Sequence, residues 1–293
     1  MEQRRHYRVA DHLFSIQAET DLLDMLTNYA PFLTTDEGGE VFNLSVGEVA
    51  LPEDRIHVFT DTSDDDMPRI EVYRTSEQAD AEWLFLVSMY KDSPICTRLL
   101  ASHDFSEARL QLCTADTRFS IDNAAMLLYA FATAHLYTLE MHASVTVKDG
   151  LGYLFLGKSG TGKSTHSRMW MEAFDDARLL NDDNPILRIV DDRVYVYGSP
   201  WSGKTPCYVN RHVPVGAIVK LSQAPHNSIH ALRLPEAYAY MLSSASGLKI
   251  VPAMMDALYD TISHLIQMVQ VYGMECLPDN DAARVCHAAV APK

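Results

Sequence analysis

The sequence predicts an α/β fold: a mixed-sheet domain over residues 116–293, preceded by a smaller α+β region over residues 1–115. Three observations predict it. A short, wholly apolar strand, Tyr153–Leu156, runs directly into a glycine-rich loop and then into a stretch of helical composition, Thr165–Phe174. From residue 120 onward, strand-like and helix-like segments alternate, which is the pattern of a sheet covered by helices. Residues 1 to 110 are instead strand-rich and broken by polar turns.

Within the first region, Trp83-Leu84-Phe85-Leu86-Val87 reads as a buried strand. Two acidic, turn-rich segments, Thr34–Gly39 and Asp61–Pro68, read as solvated loops. The second holds Asp64-Asp65-Asp66, a run that reads as loop rather than as a cation site. Ser120 is placed to cap a helix over Ile121–Leu139, with Asp122 in its positively polarised first turn. Ala143–Val147 and Tyr153–Leu156 form a strand pair joined by the turn Lys148–Gly152. Past the loop and its helix come a strand ending at Leu180, and a hairpin, Ile186–Val190 and Val194–Tyr197, turning at Asp191-Asp192. Val213–Leu221 is a further strand. Helices are expected near Pro235–Ser244 and Pro252–Val271, then a strand at Met274–Leu277 and a terminal helix over Asp279–Val290. Met254, Met255, Leu258, Ile262, Leu265, Ile266 and Val269 fall at helical spacing. They form a face for the core, with extent enough for a homo-oligomer contact. His264 and His287 read as structural.

Composition narrows the function. Lys and Arg number 24 against 39 Asp and Glu, a net charge of −15. Such a chain repels phosphates over most of its surface, so nucleic acid is not an expected partner. No apolar run is long enough for a membrane span, and the first residues lack the apolar core of a signal peptide. The five cysteines are scattered without CxxC spacing, which suits reduced thiols in a cytoplasm.

One basic loop stands out against this acidity. Gly157-Lys158-Ser159-Gly160-Thr161-Gly162-Lys163-Ser164-Thr165 matches the phosphate-binding pattern G-x-x-x-x-G-K-[ST] throughout. Glycines let successive backbone N–H groups turn inward toward phosphate oxygens. The following helix adds its unpaired N–H groups and positive dipole end. Lys163 neutralises β- and γ-phosphate charge, and the Ser164 hydroxyl suits Mg2+. At roughly average residue frequencies, about 7% for glycine, a chance match in a chain this long is about a 1% event. His166 and Arg168 are expected on the solvated face of the helix.

The acid side of the site follows. Asn181-Asp182-Asp183 closes an apolar strand some twenty residues past the loop, where a metal-holding acid belongs. One carboxylate of the pair is suited to hold the metal, the other to take a proton from an attacking hydroxyl. A divalent ion beside the pair relieves their repulsion and keeps both ionised. Ser199-Pro200-Trp201-Ser202-Gly203-Lys204-Thr205-Pro206 is a loop that folds over nucleotide with Lys204 facing phosphate, or else a plain connector.

Together Gly157–Thr165, Asn181-Asp182-Asp183 and Met141-His142-Ala143-Ser144 resemble HPr kinase/phosphorylase and ATP-dependent phosphoenolpyruvate carboxykinase. The resemblance implies a mixed-sheet P-loop kinase domain in which a strand pair precedes the phosphate loop. It also implies a histidine at the head of that pair, metal-binding in the carboxykinases and beside the reacting phosphate in the HPr kinases; His142 matches it. The loop Pro200–Gly203 resembles that of HPr-kinase-like proteins encoded with peptide-modification systems. Residues 135–220 carry the resemblance, 120–290 more loosely, and 1–110 hardly at all. The loop ends Gly-Lys-Ser-Thr where the carboxykinases typically have Gly-Lys-Thr-Thr, and the second, glycine- and asparagine-rich signature of the HPr kinases is missing.

The expected activity is transfer of the γ-phosphate of ATP, with Mg2+ or Mn2+, to a hydroxyl on a protein, peptide or small molecule. Asp183, Asp182, His142 and Lys163 form its catalytic set. Gly157, Ser159, Gly160, Thr161, Gly162, Lys163, Ser164, Thr165 and Lys204 hold nucleotide, and Ser164, Asp182 and Asp183 hold metal. The same residues also allow a nucleotide-gated binding module without turnover. A carboxykinase-like enzyme is a third reading, but that family's substrate-binding arginines have no clear match.

Overall fold

A computed structural model describes residues 1–61, 68–203, 205–247 and 251–292. The acidic run Asp64–Asp66 and Lys204 lie outside the described residues. The chain divides into two units, Met1–Thr133 and Ala134–Lys293. The sequence reading sets that boundary at 115/116; the intervening helix belongs with the first unit.

In the first unit the order is β1 (Glu2–Val9), β2 (His12–Glu19), α1 (Thr20–Asp24), a 3-10 turn (Thr27–Phe32), β3 (Leu33–Thr34) and β4 (Phe42–Val46). Then come β5 (Ile56–Asp61), β6 (Arg69–Arg74), β7 (Trp83–Ser88), β8 (Ile95–Ala101), β9 (Glu107–Leu112) and α2 (Thr117–Thr133). The strands make one sheet in the order β3-β1-β2-β4-β9-β8-β7-β6-β5. Every residue of β7 is buried, as its unbroken apolar run requires. Helix α2 buries Ile121, Ala124, Leu128 and Phe131, and the Tyr129 hydroxyl donates to the Val9 carbonyl at 3.1 Å. The helix begins three residues before Ser120 and ends at Thr133, so Ser120 is no cap. It is buried inside the first turn, and its hydroxyl donates to the Cys96 carbonyl at 3.2 Å. Apolar spacing alone carried the predicted helix on to Leu139, but residues 138–140 pair as a strand instead.

The second unit runs β10 (Thr138–Glu140), β11 (Ala143–Lys148), β12 (Leu151–Leu156), α3 (Lys163–Ala173), β13 (Arg178–Asp183), β14 (Ile186–Val190) and β15 (Arg193–Tyr197). It continues with β16 (His212–Gln223), β17 (Ser228–Ala231), α4 (Leu234–Ser244), α5 (Pro252–Met268), β18 (Val271–Cys276) and α6 (Asn280–Val290). The sheet order is β10-β14-β15-β16-β12-β11-β13, with β18 against the far half of β16 and β17 beside it. Strand β12 is central: parallel β16 flanks one side and antiparallel β11 the other. Its side chains alternate between two cores. Leu154 and Leu156 join Leu258, Ile262 and Leu265 of α5, while Tyr153 and Phe155 join Trp170 of α3 and Cys286 of α6. Coverage on both faces is why β12 is apolar throughout. The predicted apolar stripe of α5 is thus spent on this unit's own core. Left-handed backbone at Asp149 and Gly150, and at Asp191 and Asp192, closes the two predicted hairpins. Among the described residues no helix is long and apolar enough to cross a membrane.

The topology positions the site. Strands β18, β16, β12 and β13 all run the same way, so Cys276, Gln223, Leu156 and Asp183 end at one edge of the sheet. Strand β11 runs oppositely and starts there, bringing His142 to the same edge. Crevices at the carboxyl ends of parallel strands are where α/β folds bind ligands.

Candidate phosphate-binding and acid site

Between β12 and α3 the chain makes a glycine-rich loop. Thr161 N donates to the Lys158 carbonyl at 3.1 Å, closing a turn. Gly160 and Gly162 have φ of +76° and +104°, values that side chains rarely tolerate. Gly162 is the N-cap of α3, and no side chain caps that end. The unmet N–H groups of the first turn, together with the helix dipole, make a ready anion site. Ser164 is exposed on that turn and Thr165 is half-buried.

Lys163 does not extend into solvent. It is 9% exposed. Its Nζ donates to His142 Nε2 at 2.8 Å and to the carbonyls of Gly157 at 3.0 Å and Lys158 at 3.5 Å. Burial lowers its pKa, against the pull of Asp183 and Asp182. Accepting from an ammonium requires a neutral His142 with its Nε2 lone pair free. Burial first and the Lys163 cation second hold the imidazole pKa below its usual value, in keeping with that form. Asp183 Oδ1 stands 3.4 Å from the same Nε2. Lys163, His142 and Asp183, drawn from three elements, therefore meet at the mouth of the loop.

The acid pair is held from below by Asn181, which is fully buried. Its amide donates to Ser199 Oγ at 3.1 Å and to the Trp201 carbonyl at 2.9 Å, and its Oδ1 accepts from Asn184 N at 2.9 Å. This clamps the 199–203 segment onto the strand end. Gly203 N donates to the Asp182 carbonyl at 2.6 Å. A Cβ on Gly203 would come within 3.1–3.3 Å of Asp182 O and the Asp183 side chain. So close an approach of backbone to the two acids favours glycine, since a larger residue would push them back by a few tenths of an ångström. Asp183 has φ of +145°, a conformation that costs a non-glycine residue about 1–3 kcal/mol. Its pairing with Ala143 on one side and Ser202 on the other keeps it there. Burial raises the Asp183 carboxyl pKa, with His142 and Lys163 acting against the rise.

Asp182 is 3% exposed, and its Oδ2 has no hydrogen-bond partner among the described residues. A buried, unpartnered carboxylate oxygen beside a glycine-rich loop is an acceptor that a cation would satisfy. Among the described residues no three His, Cys, Asp or Glu side chains form a metal cage.

Two features escaped the sequence reading. His166 is not on a solvated face but is 1% exposed, against Phe155 at 4.6 Å between ring centroids. Trp170 Nε1 donates to its Nε2 at 3.1 Å. Helical phase measured from the loop gave no hint, because the first turn of α3 is itself packed on the sheet. Glu140 is also buried, at 2% exposed, at the end of β10. Arg168 is exposed as expected, near Glu172 at 3.7 Å.

No family model matches the sequence, and no curated protein matches it. Among solved structures, the HPr(Ser) kinase/phosphatase from Coxiella burnetii is similar over 52% of this chain and 93% of its own. The identity is 14% and the TM-score 0.31. A likeness that slight carries no argument, so the function has to be argued from this chain's own residues.

Proposed function

We propose that the chain is a phosphotransferase that moves the γ-phosphate of Mg-ATP to a hydroxyl, with a serine of a protein or peptide, or a small-molecule alcohol, as acceptor. The convergence of Lys163, His142 and Asp183 at the mouth of the phosphate loop, beside the unpartnered oxygen of Asp182, carries this reading. The loop amides and the uncapped end of α3 receive the β- and γ-phosphates. Lys163 exchanges the loop carbonyls and His142 for phosphate oxygens, which bind an ammonium more strongly than neutral acceptors do. Asp183 receives the acceptor's hydroxyl proton; burial leaves its carboxylate more basic than an exposed one, which favours that step. His142, neutral at rest, orients Asp183 and Lys163 relative to one another. Ser164, Asp182 and Asp183 are the groups that would hold the metal, which when bound would neutralise charge on the transferring phosphate.

The test is Asp183→Asn, assayed for ADP release with and without candidate acceptors and for nucleotide affinity. Transfer should fall by about 10²-fold or more, with binding largely intact, because the amide keeps the shape but not the basicity. Retention of full transfer by Asp183→Asn while Asp182→Asn loses it would reverse the two roles. Native protein that binds ATP but never releases ADP, whatever the acceptor, would make the chain a nucleotide-gated binding module.

A further inference from the structure

Two carbonyls of the glycine-rich loop are held from outside it. Gln223 closes β16, and its Nε2 donates to the Gly160 carbonyl at 3.2 Å and to the Thr161 carbonyl at 3.5 Å. A side-chain amide nitrogen carries two hydrogens, one for each carbonyl. The backbone behind it is well anchored. Gln223 pairs with Cys276 of β18, and Ala224 N donates to the Cys276 carbonyl at 3.2 Å. Leu221, two residues back, lies in the core with Trp170 of α3.

The consequence lies on the other side of those peptides. Among the described residues no peptide bond is cis, and in a trans peptide the carbonyl and the following N–H point opposite ways. With both carbonyls turned to Gln223, the N–H groups of Thr161 and Gly162 turn away from it together. Thr161 N closes the loop's turn on the Lys158 carbonyl at 3.1 Å. Gly162 N–H, the next along the chain, faces the same way. Unrestrained, these peptides need not keep that orientation. Gly160 and Gly162, at φ of +76° and +104°, flank them, and glycine takes either sign of φ readily. A flipped peptide would present a carbonyl oxygen, with its partial negative charge, to an incoming phosphate.

We propose that Gln223 is a positioning residue for phosphate binding: it holds the Gly160–Thr161 and Thr161–Gly162 peptides with their N–H groups toward the anion, so that a polyphosphate meets a cradle already formed. Ordering done before binding is ordering that binding no longer has to supply. The proposal rests on the phosphate-loop reading for its ligand and adds a residue from outside the loop's own segment.

Two variants test it: Gln223→Met, close in size but without a donor, and Gln223→Glu, whose carboxylate faces the two carbonyls as an acceptor only. Calorimetry with Mg-tripolyphosphate reads the affinity. It should fall about tenfold in Gln223→Met, as loss of two neutral hydrogen bonds of ordinary strength implies, and further in Gln223→Glu. Amide hydrogen exchange without ligand reads the loop. The Thr161 amide should exchange about tenfold faster in Gln223→Met, while β11 and β12 keep their native rates. Native affinity in Gln223→Met overturns the proposal. So does a loss of affinity with exchange faster throughout β11 and β12, which would make Gln223 a general support of the fold. Native protein that binds no tripolyphosphate overturns the phosphate-loop reading and the proposal with it, whereas native binding that Gln223→Met leaves intact overturns the proposal alone.

Discussion

Replacing Glu140 with glutamine will stabilise the metal-free protein, and far more at alkaline than at acid pH. Burial first and the Asp183 charge second push the Glu140 carboxyl up to about 8 from 4.5. A hydrogen bond with Ser246 offsets only part of this, and Oε2 has no hydrogen-bond partner among the described residues. The folded protein therefore holds a proton that the unfolded chain releases between those values, and stability falls as pH rises through that window. Each unit of separation is worth about 1.36 kcal/mol. The group costs about 1 kcal/mol at about pH 5.5 and about 4 kcal/mol at about pH 8. Glutamine keeps the shape and cannot ionise, so its advantage should grow by about 3 kcal/mol across that range. For a unit of this size that is about 6–12 °C in Tm. Melting both proteins in chelator across the range measures it. A gain that does not change with pH, or a loss at both ends, would refute the reasoning.

Lys163→Ala should abolish the rise in Tm that millimolar Mg-ATP gives the native protein, a rise worth about 2.7 kcal/mol at a hundredfold excess over Kd; no rise in the native protein would count against the phosphate loop. His142→Ala should lower kcat and kcat/KM together while sparing ATP affinity, as loss of a transition-state contact does. If it melts early yet works normally per folded molecule, His142 is structural. Asn181→Ala leaves the Asn184 amide without its acceptor and frees the 199–201 segment, and should cost about 2–3 kcal/mol in denaturant melts. An unchanged midpoint would mean the segment is held by other contacts.

Much of the second unit was legible because its signals are local. The strand Tyr153–Leu156, the glycine loop, its helix, the two hairpins and the acid pair each announce themselves within about ten residues. What was not legible depends on partners distant in sequence. Asn181 looks like any polar residue at a strand end until Ser199 and Trp201 fold back onto it. Gln223 carries no motif, and its hold on the loop spans 63 residues. Glu140 and His166 are polar residues in buried places, where composition argues for the surface and tertiary packing decides otherwise. The span of α2 erred for the same reason: residues 138–140 have helical spacing but find a strand partner in β14.

The site's two ends differ in how far apart along the chain their parts lie, and this bears on the order in which they form. His142, the loop, α3 and the acid pair lie on one contiguous segment, folded by neighbouring strands and a single crossover. Short closures cost little chain entropy, and such contacts form fast. Gln223, whose Nε2 donates to the Gly160 and Thr161 carbonyls, lies much later, and β18 pairs with β16 only after α4 and α5 have intervened. During synthesis the segment that carries the acids leaves the ribosome complete before β18 has been made. Pulsed hydrogen exchange should accordingly find the amides of β11 and β12 protected before those of β18.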